Sequence, residues 1–194
     1  VHTSVAMGIA GGLLFMVVGM LVSPWALRMM GTPEDVMEYA VTYIEIYFGG
    51  MVFNLVYNMG SGILRAVGDS RRPLYFLILC TVLNLVLDLL FVPVFRWGVA
   101  GVGIATVLSQ AVSAVLIIIV LMRSDDVYKV YLKEIRLDFY ILRNIIQIGL
   151  PAGLQSVMYN ISNVLIQSTI NTFGTNTVAA WTAYGKIDGL FWMI

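Results

Sequence analysis

The sequence predicts an all-α membrane protein, a polytopic helical bundle, on three observations. Of its 194 residues, 60% are hydrophobic and only 11% charged, with a mean hydropathy of +0.90, and a chain of that composition cannot turn its outer surface to water. The apolar residues gather into six runs of about 20 residues or more, the length that crosses a hydrocarbon core of about 30 Å. Lipid offers no partner to an unpaired backbone amide or carbonyl, so each run has to be a helix.

The runs cover roughly residues 4–28, 38–64, 73–95, 98–122, 146–172 and 177–194. Thr32-Pro33-Glu34-Asp35 opens the second with a capping hydroxyl, a proline at the first helical position and acids in the first turn. Asp69 or Ser70, with Pro73, does the same for the third. Gly174-Thr175-Asn176 reads as the tight turn between the last two. Within the fifth run, Gly149-Leu150-Pro151-Ala152-Gly153 predicts a break or bend. The one long connection, residues 123–145, mixes charges with Tyr128, Tyr131, Leu132, Ile135 and Phe139 and predicts a helix lying on the membrane surface. Three parts follow: a bundle over 1–122, a linker over 123–145, and the start of a second bundle over 146–194. The chain opens and closes inside apolar runs without an initial methionine, as expected of an internal piece of a longer protein.

Charge then orients the bundle. Eleven basic residues balance eleven acidic ones, so no field favours nucleic acid as a partner. Eight of the basic residues (Arg65, Arg71, Arg72, Arg123, Lys129, Lys133, Arg136 and Arg143) fall in or beside two connections, against Arg28 and Arg96 elsewhere, with Lys186 set aside because it lies within the last run. By the bias of such residues toward the inner face, the loops over 65–72 and 123–145 are cytoplasmic and the protein is multi-pass in the cell's inner membrane. Cys80 is alone, so no disulfide is possible, and the solitary His2 offers no metal site.

Against this apolar background one stretch stands out, TVLNLVLDLLFVP over residues 81–93, which carries Asn84 and, one helical turn later, Asp88. Asp88 lies nine residues before Trp97, and Thr106 nine residues after it. At 1.5 Å per residue both sit about 13 Å below the outer end of a helical hairpin and can face each other. Asn84 shares the face of Asp88, one turn deeper. An amide oxygen, a hydroxyl and a carboxylate together make a hard-oxygen group suited to a small cation such as Na⁺, or to a proton on the carboxylate. Charged groups at such depth cost a few kcal/mol, which argues for use over mere helix packing.

Polar residues elsewhere form lines at helical spacing. Tyr43, Tyr47, Gly50, Asn54, Asn58, Ser61 and Arg65 mark the second run, Thr106, Ser109, Gln110 and Ser113 the fourth, and Ser156, Asn160, Asn163 and Gln167 the fifth. Three such lines predict a bundle around an aqueous cleft. Glu45 stands off its line, and Lys186 and Asp188, two apart, do not share a helix face.

Several connected stretches, GILRAVGDSRRPL (62–74), NLVLDLLFVPVFRWGVAGVGIATVLSQ (84–110), GLPAGLQ (149–155) and NTFGTNTVAAWTAYGKID (171–188), resemble multidrug and toxic compound extrusion transporters, the MATE family. The resemblance implies a twelve-helix, two-lobe protein of which this chain holds the third to eighth helices, with the linker joining the lobes. It implies exchange of Na⁺ or H⁺ for organic cations, drugs or other amphipathic compounds, with no further cofactor. In the DinF-like branch an Asn and an Asp four residues apart, with a Thr on the next helix, form the cation site together with an Asp on the first helix. Asn84, Asp88 and Thr106 match those positions, while the first-helix partner would precede residue 1. The NorM-like branch relies on a seventh-helix acid, and this sequence has none between Pro151 and Gly174.

The expectation is therefore a secondary active antiporter, monomeric and surrounded by membrane lipid, that is not an enzyme. Asn84, Asp88 and Thr106 would bind the coupling ion, and Tyr43, Tyr47, Asn54, Asn58, Asn160 and Asn163 would line the substrate cleft. Two other readings stay open: a lipid-linked oligosaccharide flippase of related topology, and a non-transporting structural membrane subunit. The flippase would need clustered Arg or Lys within the spans to hold a pyrophosphate, and no such cluster occurs. An intramembrane enzyme would need paired aspartates, a Ser-His pair or an HExxH helix, none of which is present.

Overall fold

The computed structural model describes residues 1–29, 33–124, 128–171, 180–182, 184, 185 and 188. Among these residues the helices named in order are α1 (His2–Met29), α2 (Glu34–Gly49), α3 (Met51–Ala66), α4 (Arg71–Phe91), α5 (Gly98–Arg123) and α6 (Phe139–Asn171), with a 3₁₀ turn at Leu132–Glu134. The chain divides into two compact units, Val1–Leu142 and Arg143–Ile194. The all-α expectation holds, since every regular element among the described residues is helical.

In the first unit, α1, α4 and α5 are each long and apolar enough to cross a membrane, and α2 with α3 makes a fourth span bent by 45°. The bend falls at Gly50, where a side chain would collide with Val107 on α5, a Cβ lying 2.5 Å from its Cγ2. The absence of a side chain thus lets the elbow press against α5. The polar line of the second run is consequently broken into two pieces with different directions, not one continuous line.

Packing is mediated by small residues. The Gly8, Gly12 and Gly19 face of α1 receives Met59, Val52 and Phe48, so that helix backbones approach closely, the usual basis of helix association where lipid is as apolar as the side chains. A core of Val5, Leu64, Ile117, Leu121 and Val130 closes one end of the unit. The start of α1, the ends of α3 and α5 and the first part of the linker all meet there. Both basic stretches therefore lie at the same end of this bundle.

The linker departs from expectation. Residues 128–138 form no surface helix: they run through a 3₁₀ turn and extended backbone, and α6 starts at Phe139, seven residues before the predicted run. The reason is burial. Val130 is only 2% exposed, its amide donates to the Leu121 carbonyl at 3.0 Å, and Tyr128 and Ile135 pack on the same core. His2 fastens the segment further, its Nε2 accepting the Tyr131 amide at 3.0 Å and lying 3.8 Å from Glu134. Lys129 sits over the Tyr131 ring, 5.8 Å from its centre.

The α3–α4 turn is built by Gly68, whose φ of +87° allows its amide and that of Asp69 to cap the Arg65 and Leu64 carbonyls. Of the two capping candidates, Asp69 acts: its carboxylate accepts the Arg72 amide and pairs with the Arg72 guanidinium at 3.2 Å, whereas Ser70 makes no side-chain cap. Pro33 stands at the cap of α2 instead of its first helical position, with Glu34 and Asp35 following in the first turn. The capping role given to Thr32 lies outside the described residues.

The second unit is described mainly by α6, 33 residues long and continuous through Pro151, so Gly149-Leu150-Pro151-Ala152-Gly153 does not break it. Its length suffices for a membrane, but it falls short of the apolarity of the other spans because Ser156, Asn160, Asn163 and Gln167 interrupt it. The turn at Gly174-Thr175-Asn176, most of the last run, and Lys186 lie outside the described residues.

Candidate coupling and cargo site

The α4–α5 hairpin positions the candidate coupling group. Its turn is pinned by three rings: Phe91, Phe95 and Trp97 have centres 5.8, 4.9 and 5.4 Å apart in pairs, while Arg96 and Gly98 take positive φ of 57° and 56°. From there the two helices run side by side, but it is Asn84, and not Asp88 as the nine-residue count anticipates, that meets Thr106, because α4 ends at Phe91 while α5 starts at Gly98, so the turn is not centred on Trp97. The Asn84 amide Nδ2 donates to Thr106 Oγ1 at 3.4 Å, and the threonine hydroxyl donates to the Val102 carbonyl at 2.9 Å. This arrangement points the Asn84 nitrogen at the hydroxyl and leaves its oxygen as an acceptor.

Asp88 is half-buried, and its Oδ1 is shut away from solvent with no hydrogen-bond partner among the described residues. It does not bond the amide or the hydroxyl, so the expected three-way convergence takes the form of one bonded pair and a separate carboxylate. A buried oxygen left in this state costs about 1–3 kcal/mol, and more for a charged group. A cation or a proton on that oxygen would remove the cost. Among the described residues no three His, Cys, Asp or Glu side chains gather as transition-metal ligands. The donor set of one carboxylate with neutral oxygens suits a hard monovalent ion.

One to two turns toward the basic-loop end, α3, α4 and α5 enclose a cleft of about 230 Å³ lined by Asn54, Tyr57, Asn58, Leu77, Cys80, Gln110 and Ser113. Asn58 Nδ2 donates to Asn54 Oδ1 at 3.0 Å, and the lining carries no ionised group. Of the six substrate candidates, Asn54 and Asn58 are brought into this cleft. Tyr43 and Tyr47 lie across the bend on α2, stacked with ring centres 6.3 Å apart, and are not in its lining. Asn160 and Asn163 are exposed on α6 in the second unit. The polar lines also mislead at Ser61 and Ser109, both of which are buried in the bundle and absent from the lining. Tyr57, Leu77 and Cys80 were missed because they fall off the polar lines. Only the hairpin register, extended inward from Asn84, signals that α4 contributes to the lining.

The comparisons with known proteins agree with this architecture. The MatE family profile matches residues 1–90. The chain is 34% identical over 172 residues to the probable multidrug resistance protein YpnP of Bacillus subtilis (strain 168), covering 89% of this chain and 38% of that protein. It is 30% identical over 187 residues to the probable multidrug resistance protein YoeA of the same organism, covering 91% and 40%. Among solved structures it superposes on a MATE protein in the bent conformation with a TM-score of 0.87 at 29% identity, over 96% of this chain and 42% of that one. It superposes on an outward-facing multidrug resistance MATE transporter of the MOP superfamily with a TM-score of 0.83, also at 29% identity and over the same shares of each chain. These findings define a helical membrane fold shared with MATE proteins. Over nearly its whole length the chain is similar to MATE family proteins, and it spans about 40% of the length of the curated relatives it matches.

Proposed function

We propose that the protein containing this chain is an antiporter that exports organic cations, drugs or other amphipathic compounds in exchange for Na⁺ or H⁺. The observation that carries the reading is the buried, unpartnered carboxylate oxygen of Asp88 beside the Asn84–Thr106 pair on the α4–α5 hairpin. An ion bound there offsets the burial cost of that oxygen, so ion binding favours whichever arrangement keeps the carboxylate buried. Cargo in the Asn54–Asn58 cleft favours another arrangement, and exchange requires only that the two ligands prefer different states. Orientation follows the basic residues: the end bearing Arg71, Arg72 and the linker faces the cytoplasm, in the inner membrane. The relatives' names as multidrug resistance proteins support the class of cargo.

The test is efflux of a fluorescent organic cation from inverted or right-side-out vesicles carrying the full-length protein. Imposing a Na⁺ or a pH gradient is expected to raise the rate at least several-fold, and whichever gradient drives it names the coupling ion. A rate indifferent to both gradients would reject antiport.

A further inference from the structure

We propose that Tyr57 is a latch that closes the cleft between α3, α4 and α5 at the end nearest the Val67–Ser70 turn. Although that short turn joins α3 to α4, the two helices scarcely pack on each other: α3 lies along α1 and α5, and α4 lies along α5. The seam between them is where the cleft sits. It is crossed at its base by one hydrogen bond, from the Tyr57 hydroxyl on α3 to the Pro73 carbonyl in the first turn of α4, at 2.9 Å. A second hydroxyl, on Ser113 of α5, donates to the Phe76 carbonyl one turn along at 3.3 Å, and so holds α4 to α5 but not to α3. Breaking the Tyr57 bond leaves α4 attached to α5 while freeing its first turn from α3, which opens the cleft toward the face carrying the turn. The ring of Tyr57 itself lines the cleft, so the latch and the lining are the same side chain.

The inference deepens the transport reading, since a compartment that holds cargo needs a closable door, but its test does not depend on transport. Cys80 lines the cleft and is this chain's single cysteine, which makes its thiol a reporter of access. In the full-length protein with any other cysteine replaced, a membrane-impermeant maleimide is applied from each face in turn. Tyr57→Phe, which removes one hydroxyl and keeps the ring, is expected to raise the Cys80 labelling rate about two- to tenfold from the face bearing the Val67–Ser70 turn, the population shift that losing one hydrogen bond produces. From the other face the rate should stay within error of the parent. Thr81→Val deletes a hydroxyl that bonds only within α4, to the Leu77 carbonyl at 2.9 Å, and should change neither rate. Unchanged labelling in Tyr57→Phe, an equal rise from both faces, or the same rise in Thr81→Val would overturn the latch. Faster labelling without gradient-driven export would sustain the latch while removing the antiport reading; intact export with unaltered labelling would do the reverse.

Discussion

Replacing Asp88 with asparagine is expected to cut gradient-driven export by about 10- to 100-fold, the range spanned by a coupling free energy of a few kcal/mol. The substitution keeps size and shape, so helix packing around the α4–α5 hairpin should survive. What changes is chemistry. An amide carries no charge for a cation to neutralise and takes up no proton at neutral pH, and its NH₂ group can donate where the carboxylate only accepted. The prediction separates Asp88 from its neighbours: Asn84→Ala and Thr106→Val each remove one neutral oxygen-bearing group and should cost about tenfold or less. The measurement is the vesicle efflux assay, normalised to protein reconstituted, with the gradient present and collapsed. If Asp88→Asn exported as fast as the parent and kept its gradient dependence, the buried carboxylate would be a packing element and the coupling role would be lost.

Why this site was legible in the sequence, when much around it was not, follows from what each signal encodes. Asn84, Asp88 and Thr106 are polar against an apolar background, and the Arg96-Trp97-Gly98 turn locates the hairpin, but counting nine residues either way paired Thr106 with Asp88, one turn off the Asn84 it meets, because α4 ends at Phe91 and the turn is not centred on Trp97. Counting does not fix side-chain direction, and the carboxylate proved not to bond the pair it was expected to join. Periodicity was similarly double-edged. It found Asn54, Asn58, Gln110 and Ser113, yet it extended the line through Gly50 as though the helix were straight, because a period of 3.6 says nothing about an elbow created by close approach to Val107. The linker misled for a related reason. Tyr128, Val130 and Ile135 are apolar enough for a surface helix, but Val130 is buried in the core with Leu64, Ile117 and Leu121, and Tyr128 and Ile135 pack against it partly buried, contacts between residues far apart in sequence that no local pattern reports. At Pro151 the expected break does not occur, since α6 is helical through it.

The glycine face of α1 was the largest omission, and it carries the second strong prediction. Gly8 and Gly12 are four apart, a spacing that brings small residues onto one helix face, and at Gly12 an added Cβ would lie 2.5 Å from Val52 Cα and 3.2 Å from its Cβ. The obstacle is backbone, which cannot rotate aside as a flexible side chain can, so α1 and α3 would have to part. Gly12→Ala is therefore expected to destabilise the protein by about 1–3 kcal/mol, the range for overpacking a tight contact. Gly62→Ala, where nothing lies within 4 Å, should be neutral or stabilising by about 0.5–1 kcal/mol from helix propensity alone. Reversible denaturant titration of the full-length protein in mixed micelles measures both, and equal midpoints for the two variants would contradict the close α1–α3 approach. The consequence reaches beyond stability, because α3 carries Asn54, Asn58 and Tyr57 into the cleft. If α3 moves away from α1, the cleft lining shifts against α4 and α5, so Gly12→Ala should lower export as well while leaving the Asn84–Thr106 pair, held on the other two helices, in place.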